Sequence, residues 1–225
     1  MNKALFDAKR LIAQIVTDVV NLEDINFTVP EVQTLLDGIT VGGHKLQDEL
    51  ITLNQINAWK FLFTSIDNRT FMLDKGYLLQ LHSLVANKEA LIWGEFRTGQ
   101  VTISGTDYLP PKANELIGIW DSLQGIVIQK LSNYTDAENI YRTAVFLFAE
   151  MARTQFFFDG NKRTARMMMS GILLSRNLPM INIPAKRKLE FNQAMIKYYD
   201  HQDFEQLFAF MWSCIPEYIK EEYNL

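Results

Sequence analysis

The sequence predicts a mainly helical, all-α domain carrying one short β-hairpin. Apolar residues recur at three- and four-residue spacing along most of the 225-residue chain, the pattern of helices with one buried face. Gly, Pro and Asn/Asp clusters break that pattern at loop-like intervals. Only Trp93 to Leu109 changes period: Phe96 precedes a Thr98-Gly99 turn, and Val101 and Ile103 then alternate with polar neighbours, as in a hairpin.

Taken in order, Leu5, Leu11, Ile12, Ile15, Val16 and Val19 predict one amphipathic helix over residues 3–20. Thr28, Pro30 and Glu31 form a cap, a first-turn proline and a capping box, so a helix runs from about Val29 to Leu36. Asp37-Gly38 and Gly42-Gly43 mark a loop, and Leu50, Leu53, Ile56, Trp59 and Leu62 share one face of a helix over 46–66. Another starts near Asp74 or Lys75-Gly76 and runs through Leu84. Pro110-Pro111 closes the hairpin, and helical spacing resumes over 113–131. Asp136 caps a helix to Ala152, and a further one ends near Arg176, with Asn177 as its cap and Pro179 as a stop. Residues 184–199 and 204–212 give two more helices, with a polar tail after Pro216. The organisation expected is residues 1–33 as N-terminal helices and residues 34–225 as one compact unit.

Composition narrows the function classes. A net charge of −4 gives no general attraction to nucleic acid or to an anionic membrane surface. No arginine-rich recognition helix argues for a DNA-binding module. The lone Cys214 rules out an intrachain disulfide and a cysteine-rich zinc site. No signal-peptide pattern and no run of transmembrane length is present, so a cytoplasmic protein is expected. Any basic cluster in such a chain reads as a local ligand site.

That cluster lies in Gln155–Arg166, Q-F-F-F-D-G-N-K-R-T-A-R. Gly160 permits a tight turn with N–H groups facing one point, and Asn161 tolerates it. Lys162, Arg163 and Arg166 surround the turn with cations, and Arg163 and Arg166 share a face of the helix that follows. A loop feeding a helix N-terminus with arginines on its first turns suits phosphate by geometry and by dipole. Asp159 adds a hard oxygen ligand where Mg²⁺ would bridge phosphates. The plainer alternative is that the arginines pair with acids on neighbouring helices.

D-G-N-K-R-T-A-R resembles the core of the Fic (Fido) family signature, H-x-F-x-[DE]-G-N-[GK]-R-x-x-R. Phe157, Asp159, Gly160, Asn161, Arg163 and Arg166 fall on matching positions, and Gln155 stands where the family has its catalytic histidine. The resemblance extends over about residues 34–212, with W-G-E-F-R-T-G-Q-V-T-I-S-G resembling the family's flap hairpin. It implies ATP and Mg²⁺ as ligands, with Gly160, Asn161 and Lys162 around the phosphates, Arg163 and Arg166 on the outer ones, and Asp159 on the metal. The reaction it implies is transfer of AMP to a Ser, Thr or Tyr hydroxyl of a protein target. Such a target docks along the flap, here Phe96, Val101 and Ile103. Phe191, Asn192, Tyr199 and Asp200 fall where the family lines its adenine site.

Two departures matter. A glutamine amide has no pKa suited to general-base work, so losing the histidine costs about 10²–10⁴ in rate while positioning and charge stabilisation remain. His44, His82 and His201 lie far off in sequence and read as surface or core residues. Lys162 matches the N-K-R variant of the Doc-like phosphotransferase branch. Three readings stay open: a weak adenylyltransferase, a catalytically inactive ATP-binding regulator, and a Doc-like phosphotransferase. N-L-E-D-I-N-F-T-V-P-E also resembles an inhibitory segment of some Fic proteins, in which Glu23 would pair with Arg166. A solvated glutamate at a helix end is the equal alternative. Self-association is left open.

Overall fold

The computed structural model describes residues 2–225 and is built from eleven helices among them: α1 (Lys3–Arg10), α2 (Ile12–Leu22), α3 (Val29–Leu36), α4 (Leu46–Asp67), α5 (Lys75–Val85), α6 (Leu116–Asn133), α7 (Ala137–Thr154), α8 (Asn161–Ser175), α9 (Lys188–His201), α10 (Phe204–Ser213) and α11 (Glu217–Tyr223). Short 3-10 turns at Ala113–Glu115 and Ala185–Arg187 lead into α6 and α9.

α8 is the central post. Nearly every residue from Arg163 to Leu174 is buried, so no side of this helix faces water. α7 packs along it, while α4, α5 and α1 cover its other sides. Gly171 is where the packing is closest: a Cβ there would lie 2.2 Å from a Phe71 ring carbon. The expected caps are present. Thr28 and Glu31 form a capping box on α3, Asp74 caps α5 and Asp136 caps α7. Asn177 takes a left-handed backbone after α8, and its Oδ1 accepts the Ala4 N–H at 3.1 Å.

Three expectations need correction. The single helix over 3–20 is two, because the backbone leaves helical geometry at Leu11 (φ −99°, ψ 9°). The polar tail forms α11, whose Ile219 and Tyr223 reach the core edge while Tyr223 Oη donates to Asp7 at 3.0 Å. The β-hairpin is absent: no strand occurs among the described residues. Pro110 and Pro111 have no N–H to offer a partner strand. The segment instead satisfies its polar groups through side chains, with Gln100 Nε2 donating to Pro110 O at 2.8 Å and Arg97 holding several carbonyls. The apolar alternation was real, but it is an alternation of burial in a loop: Val101 and Ile103 are half-buried while Thr102 and Ser104 are exposed.

Candidate functional site

α7 ends and α8 begins within six residues, and the link between them is fixed by side chains of its own. Gln155 adopts a left-handed backbone (φ 53°, ψ 64°) that stops α7. Its Nε2 turns back to donate to Ala152 O at 2.6 Å, and its Oε1 accepts from Asn161 Nδ2 at 2.9 Å. Asn161, 7% exposed, also accepts the Phe157 N–H at 2.9 Å and donates to Phe157 O at 2.8 Å. Gly160 (φ 70°) then starts α8, and no side chain caps that helix. The first N–H groups of α8 therefore have no intrahelical acceptor and no capping oxygen.

His82 supports the link from below. The Gly94 N–H can only donate, so Nδ1 accepts it at 3.0 Å, and Nε2–H donates to Asp159 O at 3.1 Å. The imidazole lies flat on Phe157, with ring centres 3.6 Å apart. Burial holds its pKa down at about 4, and the Arg163 charge pushes the same way against the Asp159 carbonyl. This histidine is a neutral support inside the core, not a base facing the cavity. Leu78, Leu81 and Val85 put position 82 on the buried side of α5 by spacing alone.

A cavity of about 530 Å³ opens over this junction. Of the residues singled out in the sequence, Glu23, Ile103, Gln155, Asp159, Gly160, Asn161, Lys162, Arg163, Asn192 and Tyr199 line it. Thr102, Ser104, Phe158, Met195 and Ile196 complete the wall. Phe96, Val101, Phe191 and Asp200 are elsewhere. Phe96 packs on Phe156 and Phe157 with ring centres 5.0 and 5.6 Å away, so it is part of the inner face. Val101 is half-buried outside the cavity. Phe191 sits in the core between Phe148 and Phe210. Asp200 accepts a hydrogen bond from Thr106 and fastens the 100–110 loop to α9.

The cations are not equivalent. Arg163 makes a two-pronged pair with Glu89, NH1 to Oε2 at 2.8 Å and NH2 to Oε1 at 2.5 Å, with both side chains buried. Its charge is thus largely committed inside the fold, and the acid-pairing alternative holds for this arginine. Arg166 is 1% exposed and is not in the cavity wall; its Nε and one terminal nitrogen have no partner. Desolvation pulls its pKa down to about 10, with the charges of Glu23 and Asp18 opposing that shift. Lys162 lies 3.6 Å from Glu23. The Glu23–Arg166 pair implied by the resemblance, one of two equal readings of Glu23, is not formed; Glu23 meets the lysine one turn nearer the surface. Asp159 is more than half exposed, and its Oδ1 accepts from Gly160 N at 2.6 Å and from Arg163 at 3.3 Å.

This donor set fits a polyphosphate: an uncapped helix N-terminus, a lysine in the cavity wall and, on the same helix, a buried arginine with two unpartnered guanidinium nitrogens. No group of three or more His, Cys, Asp or Glu side chains suited to a metal occurs among the described residues. A Mg²⁺ ion that takes most of its ligands from phosphates and water needs only one carboxylate, and Asp159 is available for that.

The fold and site together define a helical protein with an anion-suited cleft at a helix junction. Residues 72–173 match the model of the Fic/DOC family. Among curated relatives, a protein adenylyltransferase Fic from Drosophila erecta is 24% identical over 202 residues, covering 87% of this chain and 38% of its own length. Its Drosophila virilis counterpart is likewise 24% identical, with 87% and 39% covered. The chain thus spans about two fifths of the relatives it matches. Among solved structures, a Fic domain-containing signalling protein from Bacteroides thetaiotaomicron aligns with TM-score 0.76 at 17% identity, covering 91% of this chain and 81% of that one. Fic-1 from C. elegans aligns with TM-score 0.79 at 16% identity, covering 94% and 62%. These establish a shared fold.

Proposed function

We propose that this chain binds Mg²⁺–ATP at the α7–α8 junction and that transfer of AMP to a protein hydroxyl, the reaction named for its relatives, is slow for want of a general base. The observation that carries this reading is the commitment of Gln155. Both ends of its amide are engaged, with Ala152 O and with Asn161 Nδ2. No histidine lines the cavity to take its place. Phosphate groups would be held by the first N–H groups of α8, by Lys162 and by Arg166, with Asp159 on the metal. Asn192 and Tyr199 would face the base. Thr102 and Ser104 line the side of the cavity from which a Ser, Thr or Tyr hydroxyl of a protein target would enter. Glu23 competes with a phosphate for Lys162 and so acts as a brake on binding.

The test is binding and labelling in parallel, with α- and γ-labelled ATP, a cell extract and the variants Gln155→His and Glu23→Gly. The native chain is expected to bind ATP and label targets weakly. Gln155→His should raise α-label transfer by about 10²–10⁴, and Glu23→Gly should tighten binding. Labelling by the native chain that Gln155→His does not raise would overturn the slow-transfer reading. γ-Label without α-label would point instead to the Doc-like reaction. Unchanged ATP affinity in Arg166→Ala would remove the phosphate site from where it is placed here.

A further inference from the structure

Two helix ends meet at the cavity, and their treatment is opposite. The N-terminus of α8, which carries partial positive charge, is left without a side-chain cap. The C-terminus of α7, which carries partial negative charge, is covered by a full cation. Arg97, 2% exposed, sends Nε to Gln155 O at 2.6 Å and one terminal nitrogen to Thr154 O at 3.5 Å. Its remaining donors go to Gly99 O at 2.7 Å and Pro111 O at 2.5 Å, and its own N–H donates to Phe156 O at 2.9 Å. Every acceptor of the Arg97 side chain is a backbone carbonyl, and it forms no ion pair with a carboxylate among the described residues. Burial pulls the pKa of this group down, so holding the charge there is unfavourable in itself.

A neutral side chain could fill the space, and neutral donors could satisfy the carbonyls. What only a cation does is cancel the dipole of α7 beside a site that must accept negative charge. An anion in the cavity would otherwise meet the negative end of α7 as well as the positive end of α8. We propose that Arg97 is a positioning residue of the anion site: it neutralises the C-terminal dipole of α7 and fixes Gln155 and the 99–111 loop around the phosphates without touching them. This rests on the nucleotide reading above. It makes Arg97 a determinant of how many phosphates the site rewards, since the benefit grows with the charge of the ligand.

The test is titration calorimetry of the full chain with AMP, ADP and ATP, alongside melting curves, for the native protein, Arg97→Lys and Arg97→Gln. Lysine keeps the charge and loses the fork; glutamine keeps a donor and loses the charge. Arg97→Gln should weaken ATP by about tenfold and AMP less, flattening the gain from each added phosphate. Arg97→Lys should keep that gain while its melting temperature falls. Equal loss in both variants, or an unchanged gain in Arg97→Gln, would overturn the charge role. A native chain that gains nothing from added phosphates would overturn the nucleotide reading, and this inference with it. If neither variant folds, the Nε–H resonance of Arg97 in the native protein decides: it should move with tripolyphosphate and not with adenosine, and a resonance that stays put in the tripolyphosphate complex sinks the proposal.

Discussion

Arg163 and His82 show how single residues around this cleft divide between fold and ligand. Removing one partner of a buried ion pair strands the other, at about 3–5 kcal/mol. Glu89→Ala should therefore lower stability by that order in urea unfolding, although Glu89 does not line the cavity. His82 gives a pH signature. Its folded pKa of about 4 lies below the ordinary value of 6.5, so the unfolded chain takes up a proton that the folded chain refuses. The stabilisation is fully present above pH 6.5, is lost as pH falls from there to about 4, and amounts to about 3 kcal/mol. Urea midpoints measured across that window should fall in the native protein and fall less steeply in His82→Gln. At this scale the sequence was only partly legible. Asp159 to Arg166 marked a candidate anion site through turn chemistry and charge. Nothing local told Arg163 from Arg166, because the deciding partner, Glu89, lies 74 positions away.

At the scale of elements, two classes of helical glycine behave oppositely. Gly118 and Gly125 on α6 have nothing within 4 Å of an added Cβ, whereas Gly171 on α8 would drive one into Phe71. Alanine at 118 or 125 should stabilise by about 0.5–1 kcal/mol through helix propensity. Gly171→Ala should destabilise by about 1–3 kcal/mol through overpacking. Thermal melts of the three variants check both signs. Helix spacing and caps made α3, α4, α5, α7 and α8 readable from sequence. The break at Leu11 was not, since apolar periodicity runs straight through it. The hairpin failed for a different reason: period-two alternation reports which side chains turn inward, and it cannot tell a paired strand from a loop pinned by one buried arginine.

For the whole molecule, α8 is both the core and the site, so ligand and stability are coupled through it. Amide exchange should be slowest in α8 and the facing side of α7, and fastest in residues 37–45 and α11. ATP should slow exchange first in residues 155–163. Glycines that speed exchange in α8 would show the reverse coupling, by loosening the cleft. Among the described residues, no helix is long and apolar enough to cross a membrane.

Arg97 also makes the junction a natural reporter for proteolysis. Trypsin cuts after arginine, but only in chain that can leave the fold and enter its active site. With its guanidinium locked against α7 and its peptide N–H on Phe156, the bond after Arg97 is cleavable only when the 97–111 loop lifts off. Cleavage there counts openings of the cleft, while the exposed Arg69 supplies an internal control for protease activity.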